Sequence, residues 1–150
     1  MSSETREPVW MDVLEGAVVE VSSEDELFPV TAALGHAVTH GWRAAVPGCQ
    51  TVRLLLHKAR RLERIRVHVI DRVSERTQEI RVSAGASIER LTEVARWEFL
   101  FSPRGMTEWT EEMPVGMDDV AVVELRIEPD AGRSGGADQM YASLTQFWLA

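Results

Sequence analysis

Arg64-Ile65-Arg66-Val67-His68-Val69-Ile70 is the stretch on which the reading of the fold turns. In an extended chain successive side chains alternate sides, so Ile65, Val67 and Val69 share one face while Arg64, Arg66 and His68 share the other. One face is made to be covered and the other to meet water. The alternation recurs downstream. Residues 77–83 set Ile80 and Val82 against Glu79 and Arg81, and residues 94–101 set Ala95, Trp97, Phe99 and Phe101 against Arg96 and Glu98. Residues 121–127 set Val123, Leu125 and Ile127 against Glu124 and Arg126. In residues 144–149, Phe147 and Trp148 face opposite ways. Upstream, residues 17–21 and 51–57 also read as strands, and Leu54-Leu55-Leu56 marks the second as doubly covered.

Seven or eight such strands separated by turn signals predict an all-β sandwich of two antiparallel sheets. One short helix is expected. Pro29 suits its first position after the acidic 22–26 turn, and Gly35 ends it. Residues 58–64, with Lys58, Arg60 and Arg61, read as a turn between two strands with outward-facing charges. Irregular segments are expected at 35–48, 71–76, 102–105 and 130–139. Residues 1–16 read as a partly flexible N-terminal segment, and 17–150 as a single domain.

The net charge of −8 disfavours nucleic acid as a partner, because an acidic surface repels phosphates at long range. No run approaches the roughly 18–20 apolar residues of a membrane span, and the polar start offers no signal-peptide core. With Cys49 as its one cysteine the chain forms no internal disulfide. These features predict a cytoplasmic protein.

The order of short motifs carries a resemblance. Val21-Ser22-Ser23 is followed by Phe28-Pro29, Gly41-Trp42-Arg43-Ala44-Ala45, Gly48-Cys49-Gln50-Thr51-Val52-Arg53-Leu54 and Leu62-Glu63-Arg64-Ile65-Arg66-Val67. This resembles the discoidin, or coagulation-factor C-type, galactose-binding-like domain, and in particular the amino-terminal domain of the X-ray-repair cross-complementing scaffold protein. Arg76-Thr77-Gln78-Glu79, residues 97–103 and Ile127-Glu128-Pro129-Asp130 are similar to bacterial members of that superfamily. The resemblance implies a jelly-roll β-sandwich of about eight antiparallel strands that binds glycans, phospholipid surfaces, proteins or broken DNA through the loops at one end. The calcium-holding carboxylates of many discoidin domains have no counterpart in residues 35–41, and no apolar spikes stand out on the loops.

Four residues are the candidates for ligand binding. Trp42 offers a flat apolar face to a sugar ring, and Arg43 offers forked donors to its oxygens. Arg76 and Gln78 follow the Arg72 loop and supply directed hydrogen bonds. Against this, the same element begins a core strand in the proteins this chain resembles, which favours Trp42 as a plug of the sandwich with Arg43 paired to a buried carboxylate. Trp97, Phe99 and Phe101 at a spacing of two read as core, whereas Trp109 and Trp148 are candidate interface aromatics. His36 and His40 are four apart but are bracketed by glycines and lack a third ligand, so no metal or cofactor is expected. The acidic stretch 108–119 reads as a solvated edge strand that discourages aggregation. No nucleophile elbow, phosphate loop or dinucleotide motif is present, which points away from an enzyme. The expected function is weak glycan binding at the loop end. The alternative is a protein-interaction or scaffold module able to form a homo-oligomer.

Overall fold

The computed structural model describes residues 8–131 and 140–150. Among them are eight strands and two short helices: α1 (Val13–Gly16), β1 (Ala17–Val21), α2 (Val30–Leu34), β2 (Trp42–Arg43), β3 (Gln50–Ile70), β4 (Arg76–Gly85), β5 (Leu91–Phe101), β6 (Glu108–Glu128), β7 (Ser143–Leu144) and β8 (Gln146–Leu149). All named strand pairs are antiparallel. The fold is the antiparallel β-sandwich expected from the alternation, of the galactose-binding-like jelly-roll kind that the resemblance implies.

β3 and β6 organise it. Each is 21 residues long, and a straight strand of that length would run about 70 Å. That far exceeds a domain whose expected radius of gyration is about 15 Å, so the pair has to bend. Its register shifts between Leu55 and Arg60, between Arg60 and Leu62, and between Leu62 and Arg64. Such bulges increase the local twist and turn a strand without ending it. The first half of β3 and the second half of β6 lie in a layer of order β1-β3-β6-β4-β5. The second half of β3 pairs with β8 and with the first half of β6. Residues 58–64 are therefore a bend within one strand, which corrects the expected turn. Leu62, fully buried amid the charges, is what anchors the bend.

The alternating faces meet in one core. Ile65 and Val67 of β3, Ile80 of β4, Phe99 of β5, Leu125 of β6 and Phe147 of β8 are all buried in it. Phe99 lies 5.9 Å, centroid to centroid, from Trp109, which joins the edge of one layer to the edge of the other. Burying a side chain of this size contributes roughly 1.5–3 kcal/mol. The 108–119 stretch is the outer part of β6 and pairs with β3 alone, as an edge should. Pro114 sits there opposite Arg64, where a missing N–H costs no ladder bond. α2 ends before Gly35 as expected, with Pro29 as its N-cap residue. α1 was not legible in advance. Its four residues are capped by Asp12 and bury Val13. Most of the 130–139 loop lies outside the described residues.

The outer face of the larger layer is charged. Arg126, Arg81 and Arg96 stand in one cross-strand row, and Glu128, Glu79 and Glu98 in the next. Like charges side by side repel, and Glu79 relieves this by accepting from Arg81 Nε at 2.7 Å and Arg96 Nη2 at 2.9 Å. Burial alone would raise the Glu79 pKa, but the hydrogen bonds from Arg81 and Arg96 outweigh it and hold the carboxyl below its ordinary value. A folded pKa depressed in this way stabilises the protein above the unfolded value of about 4.3. That contribution is lost as pH falls through the lower folded pKa. Acid titration of the urea midpoint is therefore expected to fall more steeply for the natural chain than for Glu79→Gln. Equal slopes below about pH 4.3 would show that Glu79 is not linked to folding.

Candidate functional site

The turn from β3 into β4, the segment from β1 to β2 and the approach to β7 converge at one end of the sandwich. Ala150 lies at the other end, where its N–H donates to Arg64 O and its carbonyl accepts from Glu63 and Arg64. At the loop end these segments enclose a cleft of about 640 Å³.

Its first wall is β2 with the segments beside it. Gly41 has φ +77° and places Trp42 beneath the loops, where it is 1% exposed. The indole Nε1–H donates to Ser23 O at 3.0 Å. Ser22 and Ser23 both donate to Gln50 Oε1, at 2.6 and 2.9 Å, which ties the end of β1 to the start of β3. Arg43 is fixed through its backbone: its N–H donates to Phe28 O and its carbonyl accepts from Asp25. Its guanidinium then lies 5.1 Å above the Tyr141 ring. The Gly41 turn admits no side chain, because an added Cβ would collide with Leu144 O and stand 2.5 Å from Thr145 Cα. Gly41→Ala is expected to cost about 1–3 kcal/mol in urea unfolding, and an unchanged midpoint would mean that β2 is not held as described.

The second wall is the 71–76 loop. Asp71 Oδ1 accepts from the backbone N–H groups of Val73 and Ser74, both at 3.0 Å. Its Oδ2 lies 2.8 Å from Arg76 Nε. The Arg76 Nε–H is not aligned with that oxygen, so the attraction is ionic rather than a directed bond. Arg76 Nη1 donates to Tyr141 O at 2.6 Å and Nη2 to Ser143 Oγ at 2.9 Å. Burial pulls the Arg76 pKa down and Asp71 opposes the shift. An arginine starts from so high a value that it keeps its charge.

Trp42, Arg43 and Arg76 thus line one cleft, and Gln78 does not. Gln78 is 0% exposed, donates to Ser143 O and accepts from Ser143 N–H. It anchors β7 beneath the cleft and has no free group to offer a ligand. Trp42 is likewise the plug of the sandwich, not an open stacking face. The half-open ring in the cleft is that of Tyr141, which sequence periodicity could not single out. Arg72 also lines the cleft and is exposed.

Other sequence candidates find different roles. Trp109 Nε1–H donates to Leu100 O, and Trp148 packs against Trp10, His36 and the Arg66 guanidinium. Both side chains proposed as interface anchors are therefore engaged within the chain. His36 meets the Trp148 ring edge-on and His40 meets Phe28 edge-on, so the two histidines serve different neighbours. Three loop side chains were missed: Leu27, Val38 and Val73 are 81, 95 and 84% exposed. The expectation that no apolar side chain stands out on the loops is thereby corrected.

A family model described as "Anaphase-promoting complex, subunit 10 (APC10)" matches residues 2–127. No curated protein matches the sequence significantly. Among solved structures, the C-terminal domain of a chitobiase from Bacteroides fragilis superposes with a TM-score of 0.70 at 9% identity, with 95% of this chain and 97% of that one covered. The CBM32 of AlyQ in complex with 4,5-unsaturated mannuronic acid gives 0.67 at 16% identity, covering 95% and 98%. The family 32 CBM of C. perfringens NanJ in complex with galactose gives 0.63 at 15%, covering 93% and 96%. The chain spans 31% of the truncated AlyQ that carries CBM32 and alginate lyase domains. These likenesses agree with the bent β3–β6 ribbon on the fold. With the family match covering most of its length, the chain belongs to the anaphase-promoting complex subunit 10 family.

Proposed function

We propose that the chain is a non-enzymatic recognition module that engages a partner protein through its loop-end cleft. The observation that carries this reading is the composition of the cleft and its surroundings. Polar groups of Arg43 and Arg72 lie in a cleft also lined by Phe28, Ile70 and Val73, and Leu27 and Val38 stand exposed on neighbouring loop segments. Apolar side chains presented to solvent beside directed donors suit a peptide surface better than a sugar, whose edges are mostly hydroxyl. Membership of a family named for a subunit of a complex supports the same reading.

Glycan binding is the second reading. It gains support from the sugar ligands named for two fold neighbours and from the Tyr141 ring beside Arg43. It loses the stacking face of Trp42, which was its main ground. The likeness to the DNA-repair scaffold domain would call for a continuous positive surface through Arg60, Arg61 and Arg64. Here Arg61 pairs with Glu63 and Asp118, and Arg64 with Glu112, so carboxylates interrupt that run.

The test is to probe the full chain against a peptide array and a glycan array in parallel. Binding to a defined set of peptides that is lost in Arg43→Ala is the expected result. Selective binding to sugars with a silent peptide array would replace this reading by the second.

A further inference from the structure

The cleft has an excess of positive charge on a negative molecule. Among the described residues, Arg43, Arg72 and Arg76 line it against the one lining carboxylate of Asp71, with the Asp130 charge also acting on Arg76. Asp71 is already committed to Arg76 and to two backbone N–H groups. Among the described residues, neither Arg43 nor Arg72 has a carboxylate within ion-pair distance. Elsewhere Arg53, Arg61, Arg64, Arg81 and Arg96 are each paired, while Arg60 at the bend and Arg126 on the sheet face have no carboxylate within ion-pair distance among the described residues but lie outside the cleft. The net charge of the whole chain is −8, and two guanidiniums without an ion-pair partner among the described residues make this cleft a concentration of positive charge on an acidic molecule.

Arg43 is also preorganised. Its backbone is pinned on both sides, and its guanidinium carbon lies over the Tyr141 ring, 5.1 Å from the centroid. A cation resting on a ring keeps the N–H donors at its edge free, and the planar fork of those donors matches the two oxygens of a carboxylate. Val73 stands on the same loop as Arg72 and is exposed. The geometry points to a partner segment that is acidic: a peptide whose Asp or Glu carboxylate is gripped by Arg43 and Arg72 while an adjoining apolar side chain packs against Val73.

This inference rests on the protein-recognition reading, and the test separates the two. The full chain is titrated with a blocked peptide carrying two Asp next to two Leu, with its Asn twin, and with sodium galacturonate, following amide and arginine side-chain NMR shifts. The Asn twin is expected to bind at least roughly tenfold more weakly, as fits the loss of a charge-assisted fork. Arg43→Gln together with Arg72→Gln should bring the two peptides to equal affinity, whereas Arg61→Gln at the bend should change neither. Thermal melting of the variants checks that the fold is kept. Equal binding of both peptides to the natural chain overturns the acidic preference but leaves protein recognition standing. Galacturonate binding without peptide binding overturns both, and so does the absence of any binding.

Discussion

Arg76→Ala is expected to lower the unfolding free energy by about 3–5 kcal/mol, a large share of the stability of a domain this size. The loss comes from what the substitution leaves behind. Asp71 keeps a buried carboxylate without its counter-charge, and Tyr141 O and Ser143 Oγ lose the donors now 2.6 and 2.9 Å away. Asp71→Asn should cost less, because an amide oxygen can still accept from Val73 and Ser74 and the Arg76 guanidinium keeps its bonds to Tyr141 O and Ser143 Oγ. Urea unfolding at pH 7 orders the two variants. A loss under about 1 kcal/mol for Arg76→Ala would place Arg76 in solvent, contrary to its 5% exposure.

Trp42→Ala should cost about 3–5 kcal/mol, the range for removing a large aromatic side chain from a packed core. Trp42 is 1% exposed and spends its N–H on Ser23 O, so the variant leaves both a cavity and an unpaired carbonyl. Trp42→Phe keeps most of the volume and should lose markedly less while leaving ligand binding at the cleft intact. A tryptophan that stacked on a ligand would behave in the opposite way, with little change in stability and a large loss of affinity. The two variants, followed by urea unfolding and by peptide titration, decide between plug and platform.

Periodicity made the strands legible wherever one face is covered. β4, β5, the inner half of β6 and β8 lie where alternation put them, since a one-residue slip would turn every apolar side chain to solvent. The bend of β3 was hidden because bulges break the period of two and place Arg60 and Arg61 beside each other, which imitates a turn. β2 and β7 could not be read from sequence. Trp42 pairs with Leu144 and Arg43 with Ser143, a contact between segments about a hundred residues apart with no local signature.

The cleft was legible in part for the same reason. Trp42, Arg43 and Arg76 were found from the residue types that recognition chemistry needs, and the structure brings all three together. Gln78 shares that chemistry but sits on the inward side of β4. Two residues after Arg76 along a strand is the same face, and that face leads into the core. Tyr141 and the exposed Leu27, Val38 and Val73 carry no pattern, because loops have no period to betray which side chains they present.

Mapping the amide shifts of the full chain during titration with the Asp-Leu peptide tests the account most directly. Perturbations concentrated on Arg43, Arg72, Val73 and Tyr141 are the result it requires. Perturbations centred instead on Arg60, Arg61 and Arg64, where the ribbon bends, would contradict it by moving recognition to the opposite end of the sandwich.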